Sequence, residues 1–226
     1  MIGFYDTGRG GQSIIDAVKR QEPTFKYEFY VDSEALPLGE KSHDYILETV
    51  IKGCTDLFSR GCKLVILACN TASVHTIRYL QSEWLPQNYP DRQILGVTTP
   101  LLEYAEKEFP KLKSESGFLL ATEATCNHPY YQKEFHRRGF RRLKMVSCSG
   151  LANAIEQHDQ GQIRKLIVSL RNFEYDNPTY IVLACTHYTY ARNKIQEFFP
   201  DTQIIDPTDY IAERILDYLK RHPKYN

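Results

Sequence analysis

The chain carries one short segment twice. Leu64-Val65-Ile66-Leu67-Ala68-Cys69-Asn70-Thr71 returns 116 positions later as Tyr180-Ile181-Val182-Leu183-Ala184-Cys185-Thr186-His187. In each copy an apolar run ends in Ala-Cys, and polar residues able to open a helix follow. A short apolar run bounded by polar residues reads as a strand buried on both faces. Such strands belong to parallel sheets covered by helices. Other apolar, β-branched runs at 2–5, 27–31, 63–67 and 94–97 alternate with helical stripes, among them positions 46, 47, 50, 54 and 57 and the segment 73–85. The pattern then restarts, with strands at 117–121, 143–146, 180–184 and 203–205 and helices over 129–139, 162–173, 189–199 and 209–220. This predicts an α/β fold of two pseudo-symmetric domains with parallel-rich sheets and the active site between them. The boundary falls at Thr98-Thr99-Pro100, because the residue before a proline leaves the helical region. Residues 1–97 with about 207–226 make the first domain and 98–206 the second. Residues 83–91, with two prolines, read as a loop.

Composition narrows the class. The 226 residues are 42% apolar and 25% charged, enough for a sizeable core and unlike a disordered chain. Lys+Arg and Asp+Glu both number 28, so the broad basic footprint of a nucleic-acid binder is missing. The arginines at 137, 138, 141 and 142 read as a solvated face. No window approaches a membrane span, and the start, Met1-Ile2-Gly3-Phe4-Tyr5-Asp6, lacks the layout of a signal peptide. A cytoplasmic protein with no membrane partner is expected. Six cysteines without a C-x-x-C are expected to stay reduced thiols.

Cys69 and Cys185 therefore stand out. A cysteine after an apolar strand is usually a small core residue, yet here Asn70-Thr71 and Thr186-His187 follow, and these have no reason to enter a core. The carboxyl ends of parallel strands are where open α/β sheets bind ligands. If the halves face each other, two thiols flank one small molecule, and one can remove a proton from carbon while the other delivers one to the opposite face. His187 can exchange a proton with a thiol. Its place two residues beyond Cys185, however, does not put the two on one side of an ideal strand–helix junction. Zinc ligation lacks both the spacing and a fourth ligand. Asp6-Thr7-Gly8-Arg9-Gly10-Gly11 follows the first strand, and its glycines allow close approach to an anionic ligand. A nicotinamide site is disfavoured, since Ser13 stands where a third glycine belongs and Asp6 would approach the pyrophosphate. No lysine is placed for a pyridoxal Schiff base, so no cofactor is expected.

The motifs together resemble the glutamate racemase family of the aspartate/glutamate racemase superfamily. Ile2 to Gly11 resembles I-G-[VF]-F-D-S-G-x-G-G, and Pro37-Leu38-Gly39-Glu40-Lys41-Ser42 resembles P-Y-G-x-K-S. Ala68 to Ser73 matches A-C-N-T-A-[ST], Thr122-x-x-Thr125 resembles G-T-x-x-T, and Leu183 to Tyr188 matches L-[GA]-C-T-H-[YF]. The resemblance runs from residue 2 to 206. It implies a cofactor-independent amino-acid racemase, a homodimer, taking a small amino-acid substrate and making D-glutamate for peptidoglycan. Carried over, Cys69 and Cys185 are the acid/base pair, Asp6 assists the first thiol and His187 the second. Asp32 and Glu156 support them. Asp6, Thr7, Leu38, Gly39, Asn70, Thr71, Thr122, Thr125, Thr186 and His187 fall at substrate-binding positions. Thr7 replaces a serine, Leu38 a tyrosine, Ala35 a common arginine and His128 a usual serine; Leu38 and Ala35 are expected to alter the pocket rim. Aspartate as substrate and a catalytically silent binding protein are the alternatives, and the two intact cysteines speak against the second.

Overall fold

The computed structural model describes residues 1–172 and 178–225. Two four-stranded parallel sheets organise it. The first contains β1 (Ile2–Asp6), β2 (Tyr27–Val31), β3 (Leu64–Leu67) and β4 (Gln93–Gly96), in the order β2-β1-β3-β4. The second contains β5 (Gly117–Ala121), β6 (Leu143–Ser147), β7 (Tyr180–Leu183) and β8 (Gln203–Ile205), in the order β6-β5-β7-β8. The two orders are the same, and the repeated segment lies on β3 and β7. Both strands are buried along their whole length, which is why each reads as a continuous apolar run.

Strand order reverses between β1 and β3 and again between β5 and β7, and the crevice beyond such a reversal is where α/β sheets hold ligands. Asp6 ends β1 and Cys69 lies just past β3. Thr122 lies just past β5 and Cys185 just past β7. The helix Thr208–Arg221 returns from β8 to the first sheet. It buries Ile211, Ala212, Ile215 and Leu219 with Ile2, Phe4, Ile14 and Val18. The helix Thr98–Glu108 places Leu101, Leu102 and Ala105 against Leu119, Ala121 and Val182 of the second sheet.

Several local expectations need correction. Thr98-Thr99-Pro100 forms the first turn of a helix instead of leaving the helical region. A proline is tolerated there because the first N–H groups of a helix have no partner to lose. Residues 83–88 are helical as well: a π-turn over Leu80–Trp84 leads into Leu85–Asn88, with Pro86 in its opening turn. The rings of Trp84 and Tyr89 hold that segment against Phe58, with centroids 6.3 and 4.9 Å away. A short helix, Leu151–Glu156, was not expected. The helix expected over 162–173 begins at Gln160 and reaches Ser169, followed by a 3₁₀ turn to Asn172; Phe173 lies outside the described residues. The helix expected from 189 begins instead as a 3₁₀ turn, Thr186–Ala191. Among the described residues no helix is long and apolar enough to cross a membrane.

Candidate active site

Cys69 and Cys185 border one small cavity, which they share with Thr7, Leu38, Asn70, Thr71, Thr122 and His187. The two cysteines are 8% and 7% exposed, so both thiols face this enclosed space and not bulk water. The cavity holds only about 20 Å³, room for a single water molecule. Larger cavities exist, one of about 580 Å³ between β4 and the helix Thr208–Arg221, but its lining has no cysteine or histidine. Chemistry, not size, singles out the small one.

Each thiol owes its place to the strand before it. The Cys69 carbonyl accepts the Ser73 N–H at 2.9 Å and opens the helix Asn70–Tyr79. Backbone N–H groups of Thr71 and Ala72 approach the Cys69 sulfur and favour its anion. Burial and the neighbouring Asp6 outweigh them, so the Cys69 thiol is pushed well above its ordinary value. Asp6 is fully buried. Its carboxylate accepts from Thr7 N–H at 2.7 Å and from the Thr186 hydroxyl at 3.0 Å. Burial still raises its pKa, although the charge on His187 and these donors oppose it.

His187 reaches the same cavity as Cys185, against the expectation from their spacing. Cys185 is extended, and the tight 3₁₀ turn starting at Thr186 swings the imidazole back beside the thiol. His187 Nε2 lies 2.9 Å from Glu156 Oε2. Burial alone would lower the imidazole pKa. The interactions with the Cys185 sulfur and the Glu156 carboxylate more than reverse this and push it up to about 10. Glu156 is lowered in turn, chiefly by its hydrogen bond to His187. An ion pair thus stands behind Cys185, and a buried acid stands behind Cys69.

The glycine loop lies against the second half. A Cβ on Gly10 would lie 2.5 Å from Thr186 Oγ1 and 2.7 Å from His187 Nδ1. The missing side chain admits the second half's own polar residues. Gly39 does likewise, since a Cβ there would lie 2.2 Å from that of Thr122. Thr71 Oγ1 lies 2.9 Å from Thr122 Oγ1 and 3.2 Å from Thr125 Oγ1, a hydroxyl cluster across the two halves. Thr125 is fully buried behind it and does not line the cavity.

Other expected residues sit elsewhere. Leu38 is buried inside the cavity wall and not on its rim, and Ala35 is part of the first half's core. Asp32 is outside the cavity lining; its N–H donates to the Asp6 carbonyl at 2.9 Å. His128 caps the helix Pro129–Arg137, its Nδ1 accepting the Tyr130 N–H at 3.2 Å. An imidazole nitrogen accepts there as a serine hydroxyl would. Of the four clustered arginines, Arg138 is tied to Glu134 and Glu106. Two residues escaped the sequence reading. Arg9 donates through Nη2 to the Ile155 carbonyl at 3.2 Å, bridging the halves. Tyr131, hidden among core aromatics, reaches Asn70. Among the described residues no group of three or more His, Cys, Asp or Glu is placed to hold a metal ion.

Similarity to known proteins agrees with this geometry. The chain is 31% identical to a glutamate racemase of Ruegeria pomeroyi over 235 residues, which span 98% of this chain and 86% of the relative. Its fold superposes on the glutamate racemase of Campylobacter jejuni with a TM-score of 0.83 at 22% identity, covering 97% and 84% of the two chains. The match to the Francisella tularensis glutamate racemase, solved with D-glutamate, has a TM-score of 0.84 at 22% identity and covers 100% and 82%. The Asp/Glu/Hydantoin racemase model matches residues 12–215, which include both thiols, Glu156 and His187. With a doubled α/β fold, a thiol from each half in one cavity and a family match over most of its length, the chain belongs to the Asp/Glu/Hydantoin racemase family.

Proposed function

We propose that this protein interconverts L- and D-glutamate without a cofactor, by proton transfer between Cys69 and Cys185, and so supplies D-glutamate for peptidoglycan. The observation that carries the reading is that the two thiols, at corresponding strand ends of opposite halves, border one cavity. Relatives about 30% identical over nearly the whole chain are glutamate racemases.

The charge arrangement supports a division of labour. His187, cationic at neutral pH, lays a positive charge against the Cys185 sulfur, and we assign Cys185 as the base. Cys69, its pKa raised, rests as a thiol. One base and one acid are then ready at once. The Cys185 sulfur takes the α-proton as the C–H bond breaks, and the electron pair passes into the substrate carboxylate. Cys69 gives its proton to the opposite face as the new C–H bond forms. Afterwards Cys185 is a thiol and Cys69 a thiolate, the state that serves the reverse direction. The amides of the turns after Cys69 and Cys185, and the hydroxyl of Thr71, meet the charge that develops on the carboxylate.

A cavity of about 20 Å³ is too small for an amino acid, so the halves separate to admit it. That opening breaks the contacts from Thr71 to Thr122, from His75 to the Ala124 carbonyl and from Arg9 to Ile155. The moving bodies are residues 1–97 with 207–226, and 98–206. By resemblance to the family, the enzyme works as a homodimer in the cytoplasm, which light scattering on the purified protein checks.

The deciding experiment is a substrate panel with chiral product detection. Glutamate is expected to give the highest kcat/KM. One methylene separates aspartate from glutamate and is worth about 1–3 kcal/mol in a pocket, so selectivity is modest. A kcat/KM for aspartate tenfold above that for glutamate overturns the assignment.

A further inference from the structure

We infer that Tyr131 is a positioning residue: its hydroxyl donates to Asn70 Oδ1 and thereby turns the Asn70 amide nitrogen toward the substrate. This rests on the reading of the cavity as a racemase site. The Tyr131 Oη–Asn70 Oδ1 distance is 2.6 Å. Tyr131 is fully buried and Asn70 is 4% exposed, so water does not compete for this bond. Tyr131 comes from the helix Pro129–Arg137, packed with Phe135 and Phe140, while Asn70 opens the helix after Cys69 in the other half. The ring cannot swing away, because Phe135 lies 6.1 Å from it and Tyr130 crosses its edge at 5.6 Å.

The consequence follows from the chemistry of an amide. Asparagine offers an acceptor at one end and two donors at the other. With Oδ1 held by the phenol, Nδ2 faces away from Tyr131. It has no hydrogen-bond partner among the described residues, and Asn70 borders the cavity. Its two donors are therefore available to a substrate carboxylate. Without the phenol proton, the amide is free to turn its oxygen into the cavity, where it repels that carboxylate. Tyr131 has no carboxylate to bind itself; it acts through Asn70.

The test is a double-mutant cycle on the full chain. Wild type comes first: if it racemises neither glutamate nor aspartate, the reading of the site fails and not this inference. With an active wild type, Tyr131→Phe is expected to lower kcat/KM about tenfold, equivalent to ~1.4 kcal/mol. The enantiomers have equal free energy, so the loss is the same in both directions. In an Asn70→Ala background the same change is expected to cost less than twofold, because the amide it orients is gone. A purely structural role predicts the full tenfold loss in both backgrounds. That result overturns the proposal, as does a Tyr131→Phe enzyme within twofold of wild type. If Tyr131→Phe does not fold, a crystal structure of wild type with glutamate decides. The Asn70 side chain is expected to touch a carboxylate oxygen while keeping Tyr131, and the absence of either contact overturns the proposal.

Discussion

Cys69 and Cys185 sit at corresponding ends of corresponding strands, yet their surroundings differ in charge. Behind Cys69 lies a fully buried carboxylate, Asp6, on which the charge of His187 from the other half acts. Behind Cys185 lies the His187–Glu156 pair, whose carboxylate is partly exposed. The doubled fold supplies two equivalent positions, and side chains alone make their charged surroundings differ. Symmetry of backbone places the two thiols alike; in the proposed mechanism, asymmetry of charge gives each its starting role. The halves even exchange parts, since Thr186 of the second donates to Asp6 of the first.

The largest test removes the symmetric element. Cys69→Ser and Cys185→Ser are each expected to lower kcat/KM by about 10²–10⁴, the usual worth of a general acid or base. Circular dichroism should stay unchanged. Either variant within threefold of wild type breaks the equivalence of the thiols.

Asp6→Asn tests the first half's arrangement. Loss of the carboxyl group beside Cys69 is expected to reduce kcat/KM by about 10². Stability should move differently. The folded pKa of Asp6 lies above its ordinary value, so its ionisation disfavours the fold as pH rises through that raised value. The melting temperature of Asp6→Asn at pH 8 is accordingly expected not to fall. A drop in both quantities together would show that Asp6 is held for structure.

Glu156→Gln tests the second half, with a smaller effect confined to high pH. The folded value of His187, about 10, exceeds its ordinary 6.5. The stability it contributes is complete below about 6.5 and is lost as pH rises through about 10. Removing the carboxylate should move the alkaline limb of kcat/KM to lower pH by about one unit. At pH 9 the loss is expected to be about twofold, approaching tenfold only above about pH 10, with little loss at pH 7. An unmoved alkaline limb separates the limb from His187.

The smallest expected effect concerns the strap between the halves. Arg9→Met removes the guanidinium contacts to the Ile155 carbonyl and to His158, the latter at 2.6 Å. KM is expected to rise about threefold with kcat unchanged, as for binding that favours ground and transition states alike. A change confined to kcat would place Arg9 in the chemistry.

Much of this was legible in the chain, for identifiable reasons. Strands buried on both faces announce themselves as apolar runs, so β3 and β7 were found within a residue of their ends. The repeat by itself points to both thiols. Misreadings came where a local rule met a tertiary exception. Proline at 100 suggested a break and opens a helix instead. Proline at 86 suggested a loop, yet a π-turn and the Phe58 ring keep that segment helical. Leu38 and Ala35 looked like rim residues and are buried. Glu156 could be named only by resemblance, since nothing in its own segment ties it to a histidine 31 residues away.

The sequence by itself determined the α/β class, the doubling and the positions of the two thiols. Each follows from short-range order: periodicity, β-branching and a repeated motif. Only the tertiary structure decided which groups meet. The pairing of Glu156 with His187, the contact of Thr186 with Asp6 and the phenol of Tyr131 on Asn70 join residues 31, 180 and 61 positions apart. No local pattern encodes such contacts, because a hydrogen bond in a low-dielectric cavity depends on where two separately folded surfaces come to rest. The same holds for charge. Burial raises one thiol and one carboxylate, while a neighbour raises the histidine that burial would lower.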